Sequence, residues 1–364
     1  MFDRRAFLKM SAVLSATAAM PRIGLAGPSF TPKPAGWRTF EIVTRVAFSS
    51  AAGRAWIPLP TFSADDWNRP QANTWTTQAA TAGFVRDPAN EADMLVVDWE
   101  KGDAAPTVEI VSRVATRDRA TDLSRPGKAE PLSPAERARY LAGTRLVPVD
   151  GPVKALSDRI VGTATDEVEK AKRIYDWVVA NTYRKASTRG CGDGNVAAML
   201  ASGDLGGKCA DLNALYVGLA RAAGIPARDI YGVRVAPSKF GYRSLGAKNE
   251  VITKAQHCRA EIYLSDFGWV PVDPADVRKV MLEEAEGGLG AGDPRVIAAR
   301  ETLFGAWEGN WIAYNSARDV ALPGSDGPVL GFLMYPQAEI ASARMDCLDP
   351  ETFQYAIHAR EITA

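Results

Sequence analysis

The chain has 364 residues, more than one compact domain ordinarily holds, so two globular parts with a sizeable core are expected. Lys plus Arg equals Asp plus Glu at 43 each, so no net field draws the protein to nucleic acid or to an acidic membrane surface. With 4 Cys, 2 His and no CxxC or HExxH spacing, neither a disulfide framework nor a structural zinc site is expected, and no metal or organic cofactor is implied.

Residues 1–26 read as an address. Arg4 and Arg5 stand in the run Asp-Arg-Arg-Ala-Phe-Leu-Lys, followed by the mildly apolar stretch Met10 to Met20 and by Gly24-Leu25-Ala26, a small-residue cleavage candidate. This resembles a twin-arginine export signal, with Asp3 where such signals usually carry Ser or Thr. The partner implied is the twin-arginine export machinery, and the expected location is the periplasm or another exported compartment. No other run approaches the ~18 apolar residues needed to span a bilayer, so a soluble mature protein without stable membrane insertion is expected.

A Pro-rich spacer with Pro28, Pro32 and Pro34 leads into Arg38 to Phe48, where Phe40, Ile42, Thr44, Val46 and Phe48 alternate as a half-buried strand does. Strand-like runs follow at Ala55 to Leu59, Thr74 to Ala79, Met94 to Trp99 and Thr107 to Ala115; Pro58 and Pro60 end the first of these, because proline cannot donate to a ladder. Residues 27–130 are thus expected to form an N-terminal β-rich domain. Arg117 to Pro152, rich in Pro, Gly and charge, is the candidate linker.

From Ser133 the pattern is helical. Ser133-Pro134-Ala135-Glu136 offers a capping box with proline at the first helical position. Thr165 can cap a helix whose Val168, Ala171, Ile174, Tyr175 and Val178 share a stripe. Cys209 to Ala223 puts Leu212, Leu215, Tyr216 and Leu219 on one face, and Gly224 with Pro226 closes it. Strands are expected at Asp229 to Val235, His257 to Leu264 and Gly268 to Asp273. Residues 131–364 are then expected to form a second domain, its core at about 165–280, with a C-terminal extension.

A cysteine attacks a carbonyl as thiolate, which needs a helix N-terminus or an imidazolium neighbour to lower its pKa. Cys209 has the first by position. Gly206 and Gly207 leave room for a substrate backbone and for a sharp turn into the helix, and the N–H groups of the first turn, that of Cys209 included, can donate to an oxyanion. The alternative for Cys209 taken alone is a buried small apolar residue. In the strand from His257, alternation sets His257, Arg259, Glu261 and Tyr263 opposite the apolar Cys258, Ala260, Ile262 and Leu264. Opposed residues of a hairpin share a midpoint, and that of 257 and 273 falls on Ser265 in the turn Ser265-Asp266-Phe267-Gly268, so Asp273 is expected opposite His257. A carboxylate on one ring nitrogen fixes the tautomer and stabilises the imidazolium beside a thiolate.

Gly207-Lys208-Cys209-Ala210-Asp211, the run Leu219 to Arg228, His257 in its strand and Gly268-Trp269-Val270-Pro271-Val272-Asp273-Pro274 together resemble the core of the transglutaminase-like superfamily. The resemblance spans roughly residues 165 to 280. It implies an α+β, papain-like core in which the Cys-bearing helix packs on an antiparallel sheet, with Cys209 as nucleophile, His257 as base and Asp273 orienting the His. Animal transglutaminases carry a tryptophan upstream of the Cys that helps hold the oxyanion, and the stretch near Asp193-Gly194-Asn195 has none. Asn195 is the candidate second oxyanion donor; it can equally cap a short helix over Val196 to Ala201, the reading the residues favour.

The function expected is thiol-dependent acyl transfer on amide bonds of a peptide or protein substrate through a Cys209 thioester, with hydrolysis favoured because water is always present. Protein crosslinking and a catalytically silent exported binding protein of the same fold are the alternatives. Cys191 and Cys258 read as small packed residues, with a disulfide from Cys191 to Cys258 or Cys347 as the minor alternative. His358, Trp307, Trp311, Tyr314 and Phe332 read as structural, and Gly241 to Lys248 as a solvated loop, with a place at the border of the cleft as the minor alternative.

Overall fold

The computed structural model describes residues 29–47, 52–87, 89, 91–100, 106–349 and 353–362; the export-signal reading of residues 1–26 lies outside them. Six strands open the chain: β1 (Arg38–Ala47), β2 (Gly53–Pro58), β3 (Asn68–Thr77), β4 (Thr81–Arg86), β5 (Asp93–Trp99) and β6 (Thr107–Thr116). The third begins earlier than its alternation indicates and the fourth has no clear sequence signal, because both are largely exposed and carry few buried apolar residues. The candidate linker is built into the body. It holds the short strand β7 (Arg119–Ala120), the helix α1 (Pro134–Leu141) and the start of α2 (Gly151–Val161). The buried guanidinium of Arg119 pairs with the buried carboxylate of Glu261, which fastens this segment to the sheet that carries His257.

The capping box of α1 forms as expected: Ser133 Oγ accepts from the Glu136 N–H at 3.2 Å and the Glu136 carboxylate accepts from the Ser133 N–H at 2.9 Å. In α3 (Glu167–Asn181) the cap is Asp166 rather than Thr165, its carboxylate accepting the Glu169 N–H at 2.8 Å. Then follow β8 (Tyr183–Arg184), α4 (Val196–Ser202), β9 (Gly206–Gly207), α5 (Cys209–Ala222), β10 (Ala227–Arg234), β11 (Gln256–Leu264), β12 (Gly268–Val272), α6 (Pro274–Glu283) and α7 (Pro294–Thr302). The chain ends with β13 (Ala306–Trp307), β14 (Trp311–Asn315), β15 (Arg318–Val320), β16 (Leu330–Phe332), β17 (Gln337–Ile340), β18 (Ala343–Arg344) and β19 (Gln354–Ile362).

The sheet that carries His257 is antiparallel, in the order β12-β11-β10-β14. Helix α5 packs across it and is buried over nearly its whole length, not on one face only, because α2 and α3 cover its other side. A helix enclosed on all sides must satisfy its polar groups internally. Two of them are met: the Arg221 guanidinium donates to the carbonyls of Ala227 and Ala142, and Asn213 is bound as described below, whereas the buried Tyr216 hydroxyl has no partner among the described residues.

The remaining large sheets run β19-β1-β6-β3 and β18-β17-β2-β5-β4. Val46, Val108 and Ile110 of the first meet Ala55, Ile57, Leu95 and Val97 of the second in a shared apolar core. Strands β17 and β19 come from the C-terminal end that the sequence reading placed with the catalytic part. They pair instead with β2 and β1. Each supplies an edge of hydrogen-bonding groups that β1 and β2 would otherwise leave unpaired. Phe40, Ile42 and Val114 join the core around α5, so the β-rich part and the catalytic part share one continuous apolar interior. Among the described residues no helix is long and apolar enough to cross a membrane.

Candidate active site

Cys209 is the first residue of α5, 4% exposed, at the floor of a cleft of about 1630 Å³ that His257, Cys191 and Tyr335 also line. The loop before it is organised by a single carboxylate: Asp211 accepts N–H bonds from Asp193 at 3.0 Å, Gly194 at 2.9 Å and Lys208 at 2.9 Å. That explains the glycines differently from the sequence reading. A Cβ on Gly207 would stand 2.5 Å from the Asp211 side chain, and one on Gly206 would stand 2.3 Å from the ring of Tyr183. The room they leave is filled by the protein itself. Gly192, at φ +88°, faces the same carboxylate.

The N–H groups of the first turn are mostly spent. Ala210 donates to the carbonyl of Cys191 at 2.9 Å and Asp211 to that of Lys208 at 3.1 Å, leaving the Cys209 N–H without an acceptor among the described residues. Asn195 caps α4, its Oδ1 accepting the Ala198 N–H at 3.0 Å, and it is not among the residues that line the cleft.

His257 and Asp273 meet, by a route other than direct opposition. The β11–β12 pairs, Ala260 with Val272 through Leu264 with Gly268, centre the hairpin on Asp266, one residue past the expected midpoint. Asp273 therefore lies beyond the last pair, where it is the N-cap of α6 and accepts the Asp276 N–H at 3.1 Å. The His257 ring reaches it diagonally, with Nε2 2.7 Å from Asp273 Oδ2. Asn213, one turn along α5 from Cys209, holds the other carboxylate oxygen through Nδ2 at 3.2 Å and also donates to the Cys258 carbonyl at 2.8 Å. Trp311 Nε1 donates to the carbonyl of His257 at 3.0 Å. Both indoles, Trp307 and Trp311, also lie against the Arg259 guanidinium, so their structural reading holds.

A second carboxylate belongs to the site. Asp276 Oδ2 lies 3.4 Å from the same Nε2, and Arg234 holds Asp276 by two bonds of 2.6 and 2.8 Å. Sequence reasoning missed it. The signal was available, since an acid three residues after an N-cap in the first turn of a helix points back toward the cap. Asn213 and Arg234 carried no local signal, because their partners are 60 and 42 residues away.

The charges follow from these contacts. Burial opposes an imidazolium, as does Arg234, but Asp276 and Asp273 outweigh them and His257 is raised from 6.5 to about 9. Burial likewise opposes a Cys209 thiolate, yet hydrogen bonds from Cys191, Cys258 and His257, with the His257 charge, hold it well below the ordinary cysteine value. With Nε2 taken by the acids, Nδ1 is the ring nitrogen left for the thiol. The favoured resting state is a thiolate–imidazolium pair. Because the folded His257 value is raised, its ion-pair contribution to stability is fully present below 6.5 and is lost as pH rises through about 9.

The remaining thiols go the other way. Burial raises Cys258 and Cys347, and Cys191 is raised first by its bond to Cys209; all four cysteines are free. With limiting iodoacetamide at pH ~6, well under the reference cysteine value, Cys209 is expected to be alkylated first, as read by mass spectrometry, and His257→Ala to slow that labelling. Faster labelling of Cys191 or Cys347 in the folded protein would remove the activated thiolate. The loop Gly241 to Lys248, expected to be merely solvated, forms part of the cleft wall, with Ser244 and Leu245 buried. His358 lies exposed on β19 and is not among the residues that line the cleft.

A cysteine helix on an antiparallel sheet that carries a His–Asp pair is the arrangement of a papain-like core. The profile of the Transglutaminase-like superfamily matches residues 154–274. A protein of Haemophilus influenzae, itself of uncharacterised function, is 34% identical over 334 residues, 87% of this chain and 88% of the relative. The chain belongs to the transglutaminase-like superfamily. Among solved structures, a proposed cysteine protease from Cytophaga hutchinsonii aligns with a TM-score of 0.50 and 15% identity over 90% of this chain and 99% of its own, a likeness of fold. The periplasmic domain of TgpA from Pseudomonas aeruginosa aligns at a TM-score of 0.34 and 16% identity, over 68% of this chain and 93% of that one.

Proposed function

We propose that the protein hydrolyses amide bonds of peptides or proteins through a Cys209 thioester. The observation that carries this reading is His257 held by Asp273 at 2.7 Å in the cleft that Cys209 also lines, the set of groups that a nucleophile, base and orienting acid require. The Cys209 thiolate adds to the carbonyl carbon, and the electron pair of the C=O bond moves onto oxygen, where the Cys209 N–H can receive it. As the tetrahedral species collapses, His257 passes its proton to the departing amine. Water, deprotonated by His257, then attacks the thioester, releasing a carboxylic acid and the thiolate.

The charge of the cleft favours water over a lysine amine as acceptor. Eight Lys or Arg residues line it against two Glu, in a chain whose net charge is zero. Lys208, Lys248 and Lys254 stand on this wall, and they repel a protonated amine while attracting a substrate that carries carboxylates. Acidic peptide amides, among them cell-wall stem peptides, are therefore expected to be cleaved with lower KM than basic ones of equal length, and the advantage is expected to shrink as salt is raised. Cleavage of acidic and basic peptides alike at every ionic strength would remove the charge argument. Release of amine without incorporation of a labelled amine into casein would separate hydrolysis from crosslinking, and no turnover of any amide would favour the silent binding protein.

We place this activity in the periplasm, on the strength of the Arg4-Arg5 signal. Changing both to Lys is expected to leave unprocessed precursor in the cytoplasm, seen by fractionation and immunoblot; an undiminished periplasmic yield would exclude the twin-arginine route.

A further inference from the structure

The mechanism above uses one sulfur, but the site holds four. The Sγ atoms of Cys191, Cys209 and Cys258 all lie within 4.8 Å of one another. They come from three separate segments, the loop before α4, the first turn of α5 and the third residue of β11. The thioether of Met334 adds a fourth sulfur, 3.9 Å from Cys258 Sγ. The hydroxyl of Tyr335, a residue 7% exposed, lies beside Cys191 and has no hydrogen-bond partner.

We infer that Cys191, Cys209 and Cys258 form a binding site for a soft, thiophilic d10 cation such as Cu(I) or Zn2+, and that its occupancy blocks the nucleophile. Three thiolates on one such ion, each at about 2.3 Å, stand about 3.8–4.0 Å apart. The cluster needs a contraction of less than an ångström to reach that spacing. Thiolate and thioether donors select soft ions. The carboxylates close by are already engaged, Asp273 with His257, Asp276 with Arg234 and Asp211 with three backbone N–H groups, so a hard cation such as Mg2+ finds no free carboxylate here.

The positions of the three sulfurs are set in advance. The Cys191 carbonyl accepts from the Ala210 N–H, and Asp211 pins Asp193 and Gly194 of the same loop, so Cys191 is fastened to the same helix turn as Cys209. Cys258 is fixed by its strand, whose carbonyl is held by Asn213. Two of the thiols, Cys191 and Cys209, face the cleft, which gives an ion its way in. On binding, each of the three sulfurs bonds the metal as thiolate, and the protons that the thiols carried are released to solvent. The Tyr335 hydroxyl is placed to donate to the Cys191 sulfur once that sulfur is charged.

The inhibitory consequence rests on Cys209 being the nucleophile; the binding itself does not. The test uses the full mature chain, freed of metal with a chelator, and titrates it with Cd2+ and Zn2+ alone, with Mg2+ as control. The readouts are the thiolate-to-Cd2+ charge-transfer absorption and competition with a chromophoric chelator for Zn2+. One ion per chain is expected, with affinity falling 100-fold or more in Cys191→Ser and in Cys258→Ala and unchanged in Cys347→Ser, all variants being checked by circular dichroism and melting. Stoichiometric Zn2+ is also expected to protect Cys209 from iodoacetamide in the wild type and not in Cys191→Ser. Binding that keeps its affinity and absorption in folded Cys191→Ser and Cys258→Ala would reduce the cluster to ordinary metal capture by Cys209 and overturn the inference, as would the absence of a Cd2+ charge-transfer band. Amide turnover by the metal-free protein is measured in parallel, so that failure of the proposed reaction is seen apart from failure of the metal site.

Discussion

Cys209→Ala is expected to lower kcat/KM for an acidic peptide amide by about 10⁴-fold or more, since among the described residues Cys209 is the cleft thiol whose pKa is held low. The fold should survive the change. Cys209 begins a helix, alanine is the best helix former, and only a small sulfur is lost from the packing. Cys209→Ser is expected to be nearly as inactive, because a hydroxyl does not ionise in this setting as a thiol does. Cys191→Ser, which changes a neighbour and not the attacking atom, should retain most of the activity. The pH profile of the wild type supplies a second reading. With His257 held to about 9, turnover is expected to persist through neutrality and fall as pH rises through that value, when the imidazolium needed to protonate the leaving amine is lost. A folded Cys209→Ala protein that turns over at the wild-type rate would place the nucleophile elsewhere.

The second large effect concerns the acid behind the histidine. Removal of the orienting carboxylate from a triad costs a thiol or serine enzyme up to about 10⁴ in kcat. Here Asp276 stands 3.4 Å from the same His257 nitrogen and can take over part of the role, so Asp273→Asn is expected to cost less, about 10²–10³. The double variant Asp273→Asn with Asp276→Asn should fall further than either alone. Asp273→Ala adds a loss of stability. Its carboxylate caps α6 and accepts from Asn213, and a lost cap costs about 1 kcal/mol. Melting temperature should therefore drop in the alanine variant more than in the asparagine variant, while both lose turnover. If folded Asp273→Asn keeps wild-type kcat, Asp273 is a helix cap and no more.

Both predictions turn on residues whose legibility in the sequence differs. Cys209, His257 and Asp273 could be named because each sits in a local pattern: a Gly-Gly turn into an apolar helix, an alternating strand, a short hairpin. Asp276, Asn213 and Arg234 could not, since each acts through a partner brought near only by the crossing of α5 and α6 with the sheet. Cys258 shows the limit of face assignment. Alternation correctly set it on the apolar side of β11, but that is the side α5 covers, so it meets Cys209 at the helix start. Alternation says which residues share a face and nothing about what is packed on it.

What the sequence determined by itself is therefore the local chemistry: a thiol at a helix N-terminus, an imidazole on a strand with a carboxylate just past the next one, and the family core between about 165 and 280. These follow from interactions among residues close in the chain, where periodicity, caps and turns report them directly. The tertiary structure alone decided the rest. It set the hairpin register one residue from its expected centre, because the cap of α6 draws Asp273 out of the strand pairing. It returned the C-terminal strand to β1 across more than 300 residues, because an unpaired sheet edge accepts any strand of suitable length that reaches it. It also gathered three cysteines from three segments around one point, since the distance between side chains far apart in sequence is fixed by packing and not by spacing.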